Sequence, residues 1–298
     1  MIDSRVEDMH DHPHPTPGHA HGHGHDDSIA EVLDLDATIH RPFVEALLDR
    51  VTDLTDREPR TIVDLGAGTG AGTLALARLF PSARIVAIDS SDAMLARLTA
   101  AARRDGVDDR VRTVEADLDT TWPDVGSLDL AWAALSLHHV ADPDAVIGRV
   151  ADALEPGGLF VVTEMPSQPR FLPDDIGIGT PGLEARCHAA SAAQGWNFFP
   201  DWSDHLRRAG LEVVHHRSDD LHVEVDDTVR RYARAVTART RTGLADLLST
   251  EDLATLDRLL GDGPDALRHR DDLHFRGTRT VWIARRPAPR DRTEEETR

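Results

Sequence analysis

The most constraining stretch of the chain is Thr61 to Phe80. A short run rich in β-branched and apolar residues, Thr61 to Leu65, suits a buried parallel strand. Glycine then occupies every second position at Gly66, Gly68, Gly70 and Gly72. Leu74, Leu76, Ala77 and Leu79 follow at helical spacing, and Pro81 stops the helix. A strand, a glycine turn and a helix open a βαβ unit whose turn lets a ligand approach the backbone.

The glycine spacing narrows the ligand. Dinucleotide folds favour G-x-G-x-x-G, whereas Gly66, Gly68 and Gly70 form G-x-G-x-G, with Asp64 two residues ahead. The motif Asp64-Leu-Gly-Ala-Gly-Thr-Gly70 resembles the first motif of class I S-adenosylmethionine-dependent methyltransferases. Glycine turns also serve plain chain reversal, so the later strand ends have to agree.

They do agree in order and spacing. Ala83 to Asp89 reads as a second strand ending in an acid, 19 residues past Gly70. A carboxylate there can accept both ribose hydroxyl protons. Ser90-Ser-Asp92 caps a helix from Ala93 to about Arg104, and its first apolar residue, Met94, lies against adenine or simply in the core. Arg110 to Glu115 reads as strand three. In the family pattern an acid past that strand bonds the adenine amino group, and the next apolar residue lines the ring pocket. Asp117 and Leu118 match, although aspartate here also serves as a turn former. Strand four, Leu128 to Ala134, continues into Leu135-Ser-Leu-His-His-Val140. A helix from Asp142–Pro143 to Ala153, the turn Glu155-Pro-Gly-Gly158 and strand five, Leu159 to Glu164, complete the match over residues 61–165.

The resemblance implies a Rossmann-like, doubly wound, mostly parallel seven-stranded α/β sheet with an antiparallel last strand and helical cap insertions. It implies S-adenosyl-L-methionine as donor, held by Asp64, Gly66, Ala67, Gly68, Gly70, Asp89, Ser90, Met94, Asp117, Leu118 and Leu135. His138 and His139 follow strand four and are candidate catalytic residues beside the acceptor, with loop anchoring as the plainer role. His40 and Arg41, in a helical stretch from Val32 to Leu54, face either the donor's carboxylate or solvent.

The organisation follows from composition. Residues 1–28 read as a disordered tail with seven histidines, and residues 29–287 as the methyltransferase domain. The acceptor-side insertions fall at about 166–200 and 226–270, and 288–298 is a charged tail. His19 to His25 can chelate a divalent metal, but a flexible tract has no preformed geometry, and no metal site is assigned. The expected segments after strand five are helices at Leu183 to Ala193 and Trp202 to Ala209, strand six at Leu211 to His215, two helices within 226–260, and a last strand at Thr280 to Ala284.

Formal net charge is −20, and all 33 basic residues are arginine. That field disfavours nucleic acid as a partner, leaving a small-molecule acceptor. A single cysteine, Cys187, excludes an internal disulfide and is expected to be a small buried side chain. No stretch approaches a membrane span, so a soluble cytoplasmic protein is expected. A nicotinamide-dependent oxidoreductase shares the fold edge, but Gly70 comes one residue early and Tyr-x-x-x-Lys cannot be built without lysine. A non-catalytic S-adenosylmethionine-binding protein is the remaining alternative.

Overall fold

The computed structural model describes residues 23–194 and 201–288. Its centre is a seven-stranded sheet in the order β3-β2-β1-β4-β5-β7-β6. The strands are β1 (Thr61–Leu65), β2 (Arg84–Asp89), β3 (Val111–Glu115), β4 (Leu128–Ala134), β5 (Leu154–Glu164), β6 (Glu212–Val223) and β7 (Phe275–Arg285). β1 to β5 pair in parallel, and β7 runs antiparallel to both β5 and β6. The expected sheet, including its one reversed strand, is therefore present. β6 and β7 are longer than expected because they pair over eleven residues of β7, and cross-strand bonding extends their polar ends.

Helices cover both faces: α1 (His23–Ile39), α2 (Arg41–Leu54), α3 (Ala71–Leu79), α4 (Asp92–Asp105), α5 (Pro143–Ala153), α6 (Leu183–Ala193), α7 (Trp202–Arg208), α8 (Asp227–Gly243) and α9 (Thr250–Leu260). One apolar layer gathers Val63, Leu65, Ala131, Ile147, Phe160 and Trp202, and the other Leu48, Val51, Ile62, Leu76, Trp132 and Ile283. Alternate residues of β1 and β4 supply opposite layers, as period-two side-chain alternation requires. α6 and α9 share a separate cluster with Leu172, Leu183, Cys187 and Leu256. Cys187 is buried there, and burial pushes its thiol up to about 11, as a packing role requires.

Three expectations need correction. The stretch Val32 to Leu54 is two helices: α1 ends at Ile39, His40 caps α2, and Pro42 lies in the first turn of α2. Proline has no N–H and fits a helix start, so it marks a new helix here. α1 begins at His23, so the composition boundary at residue 28 falls inside a helix whose Ala30 is fully buried. Residues 1–22, with most of the histidine tract, lie outside the described residues, as do 195–200 and 289–298. Finally, β4 stops at Ala134 rather than running to Val140. Leu135 takes a left-handed backbone, φ 55°, and Leu137–His139 form a 3-10 turn. Among the described residues, no helix is long and apolar enough to cross a membrane.

Candidate active site

The carboxyl ends of the parallel strands are tied to one another across the sheet. From β1 the chain enters the glycine loop, where the Ala67 N–H donates to the Ile88 carbonyl (2.9 Å) and the Gly68 N–H to Oδ2 of Asp89 (2.8 Å). Asp89 uses its other oxygen to accept the Ser91 N–H (2.9 Å). Thus the acid ending β2 faces the glycine loop of β1 and also orients the cap of α4, where Ser91 Oγ accepts the Met94 N–H. On the other side, Ser136 Oγ donates to the Leu65 carbonyl (2.7 Å), binding the segment after β4 to the end of β1.

Two glycines are required by this packing. At Gly66, φ is 68°, and an added Cβ would stand 2.4 Å from Ser136 Cβ; at Gly70, φ is 95°, and it would meet Leu98 at 2.6 Å. At Gly68 an added Cβ would meet only the tip of Leu33, on α1, at 3.2 Å. α1 thus lies over the loop. It is fixed at one end by an Asp27–Arg97 pair to α4 and at the other by Asp36, which accepts from Arg279 (2.5 Å) and from the Tyr232 hydroxyl (2.7 Å).

The sequence-derived residues fall into three groups. Gly66, Ala67, Gly68, Gly70, Asp89, Ser90, Asp117, Leu118 and Leu135 belong to the loops at the carboxyl rim, and Met94 is buried at the start of α4. Asp117 is exposed, and its Oδ1 accepts the Asp119 N–H (3.0 Å), so it makes the turn whatever else it binds. Asp64 stands apart. Its carboxyl is buried within β1 and accepts the Thr73 hydroxyl (2.6 Å), clamping the start of α3 beneath the loop. Burial, with the Asp89 charge adding, pushes Asp64 up to about 7.

The rings of His138 and His139 lie with centroids 4.0 Å apart, tilted by 49° to each other. His138 Nδ1 lies 2.7 Å from Oε2 of Glu164 at the end of β5, and both side chains are buried. Although its side chain reaches solvent, the protein packed against one side of His139 and the charges of His138 and Arg239 lower its pKa to about 4, so it is neutral at physiological pH. His40 does not face a ligand loop: it is buried beside Asp36, Arg279 and Phe275. Sequence reading did not find Glu164, Arg239, Arg279, Asp36 or Tyr232. Only Glu164, an acid closing an apolar strand, carried a local signal.

A family profile described as a methyltransferase domain matches residues 62–158. A demethylmenaquinone methyltransferase from Clavibacter sepedonicus is 31% identical over 170 residues, covering 53% of this chain and 67% of that protein. The chain belongs to the class I S-adenosylmethionine-dependent methyltransferase family. A trans-aconitate 2-methyltransferase from Acidovorax sp. (strain JS42) is 40% identical over 126 residues, 42% of this chain and 44% of that protein. A malonyl-[acyl-carrier protein] O-methyltransferase from Xylella fastidiosa (strain M23) is 30% identical over 132 residues, 44% of each chain. The chain thus spans under half the length of these last two relatives. Among solved structures, one from Galdieria sulphuraria, provisionally described as a sarcosine dimethylglycine methyltransferase, aligns with a TM-score of 0.51 at 18% identity. That alignment covers 83% of this chain and 84% of the other chain, and it establishes likeness of fold.

Proposed function

We propose that this chain transfers the methyl group of S-adenosylmethionine to a small-molecule acceptor by in-line displacement. The observation that carries the reading is the 2.8 Å bond between Asp89 and the Gly68 N–H, which brings an acid and the glycine loop to one rim. In this reading Asp89 accepts from the ribose hydroxyls, while Gly66, Ala67, Gly68 and Gly70 give close backbone approach. Ser90, Met94 and Leu118 line the nucleoside, Asp117 accepts from the adenine amino group, and Leu135 forms a wall toward the acceptor. Asp64 supports the loop from below through Thr73.

When bound, the donor supplies an electrophilic methyl carbon on a cationic sulfur and leaves as a neutral thioether. The protein's own task is to align the acceptor and exclude water. α1 over the glycine loop serves the second purpose. Neutral His139 can accept a proton if the acceptor must lose one, and His138, paired with Glu164, positions its neighbour. The three named relatives act on unlike acceptors, so membership of the family leaves the acceptor open.

Calorimetric titration with S-adenosylhomocysteine, then with NAD, tests the proposal. Wild-type protein is expected to bind the homocysteine compound. Asp89→Ala is expected to weaken it by tenfold or more, from about 1.5–3 kcal/mol per charged hydrogen bond. Tight NAD binding without a response to S-adenosylhomocysteine would overturn the proposal, and donor binding without turnover on any acceptor would favour a non-catalytic binder.

A further inference from the structure

Arg239 lies on α8, the helix that follows β6 in the acceptor-side insertion. It is half-buried, and its Nη1 is fully buried with no hydrogen-bond partner among the described residues. Arginine cannot shed its charge near neutral pH, so a buried guanidinium N–H without an acceptor is costly. Several other arginines of the cap and of β7 are paired with acids, among them Arg186 with Asp252 (2.6 Å), Arg241 with Asp257 (2.8 Å) and Arg279 with Asp36 (2.5 Å). In a chain of net charge −20, carboxylates are plentiful, yet none is supplied to Arg239.

Its electrostatic surroundings point the same way. Burial alone lowers the Arg239 pKa, with no acid opposing it. The group that senses Arg239 is His139, which is neutral, and adjacent His138 is committed to Glu164 at 2.7 Å. Arg239 thus lies near the segment past β4 and has no carboxylate partner among the described residues.

We infer that the methyl acceptor carries a carboxylate and that Arg239 is the residue that binds it. This rests on the methyl-transfer reading above. A carboxylate is planar and singly charged, so one guanidinium fork both matches its geometry and neutralises it. A phosphate would bring up to a second charge into a strongly acidic protein. The donor also has a carboxylate, but its proposed rests lie on β1, β2 and β3, whereas Arg239 is coupled to the segment after β4.

The test uses the full chain saturated with S-adenosylhomocysteine. Benzoate, succinate, citrate and trans-aconitate are titrated beside their methyl esters and inorganic phosphate. At least one free acid is expected to bind while its ester does not. Arg239→Gln is expected to weaken that acid tenfold or more, and Arg239→Lys to recover part of the loss. Both variants are expected to keep the wild-type S-adenosylhomocysteine affinity and to melt no lower than wild type. The inference is overturned if no acid binds wild type, if ester and acid bind alike, if phosphate alone binds, or if Arg239→Gln binds the acid normally. A drop in S-adenosylhomocysteine affinity in Arg239→Gln would assign the guanidinium to the donor and also overturn it. Should Arg239→Gln fail to fold, the acid-against-ester comparison in wild type and the Lys variant decide. Failure of wild type to bind S-adenosylhomocysteine would instead reject the methyl-transfer reading.

Discussion

His138 Nδ1 and Glu164 Oε2 stand 2.7 Å apart, joining the turn after β4 to the last residue of β5 with both side chains out of solvent. Removing one partner of a buried pair leaves the other without compensation. Glu164→Ala is therefore expected to lose about 3 kcal/mol of unfolding free energy in urea. Glu164→Gln, which keeps an acceptor, is expected to lose about 1 kcal/mol. Equal midpoints for Glu164→Ala and wild type would show that the pair holds nothing in place.

Asp64 makes stability depend on pH in a direction opposite to most carboxylates. Its folded value of about 7 lies above the ordinary 3.8. Between those values the native state keeps a proton that the unfolded chain has lost. The contribution of Asp64 is thus complete below pH 3.8 and disappears as pH rises through 7, with a slope of at most about 1.4 kcal/mol per pH unit. Asp64→Asn fixes the neutral form. Urea midpoints from pH 5 to 8 are expected to show wild type losing ground to this variant as pH rises; parallel curves would rule the effect out.

Arg279 holds α1 from the far side of the sheet through Asp36, and Tyr232 shares that carboxylate. In Arg279→Ala the buried Asp36 loses its counter-charge. Amide hydrogen exchange over residues 30–39 is expected to speed up by about tenfold or more, and S-adenosylhomocysteine to dissociate faster. Unchanged exchange would mean that Asp27 and the apolar contacts suffice to hold the helix.

The strand ends were legible because their signals are local. Glycine every second residue after an apolar strand, and an acid closing β2, can be recognised without knowing what lies opposite. α5 and α6 were likewise readable from Pro143, and from the alanine-rich run at Leu183–Ala193, to within a residue. Leu135 was not readable: a branched residue with φ 55° arises because its N–H is drawn to the Thr163 carbonyl while Ser136 is drawn to Leu65. The break at His40 carried one local signal, Pro42 near the start of the apolar stripe that became α2. Asp36 and Arg279 are 243 positions apart, and nothing around either residue anticipates the other. Arg239 looks in sequence like any arginine on an amphipathic helix; only the fold shows that it lacks a carboxylate.

β7 lies between β5 and β6 although it is the last strand of the chain. During synthesis β6 must wait with no sheet neighbour until Phe275–Arg285 emerges and is threaded beside β5. Arg279, which secures the helix over the glycine loop, arrives with that same segment. A nascent chain that has passed β2 but not reached residue 275 therefore has the residues of its glycine loop without the Arg279–Asp36 bond that fastens the loop's cover. The fastening of α1 over the glycine loop thus depends on the strand that joins β5 to β6.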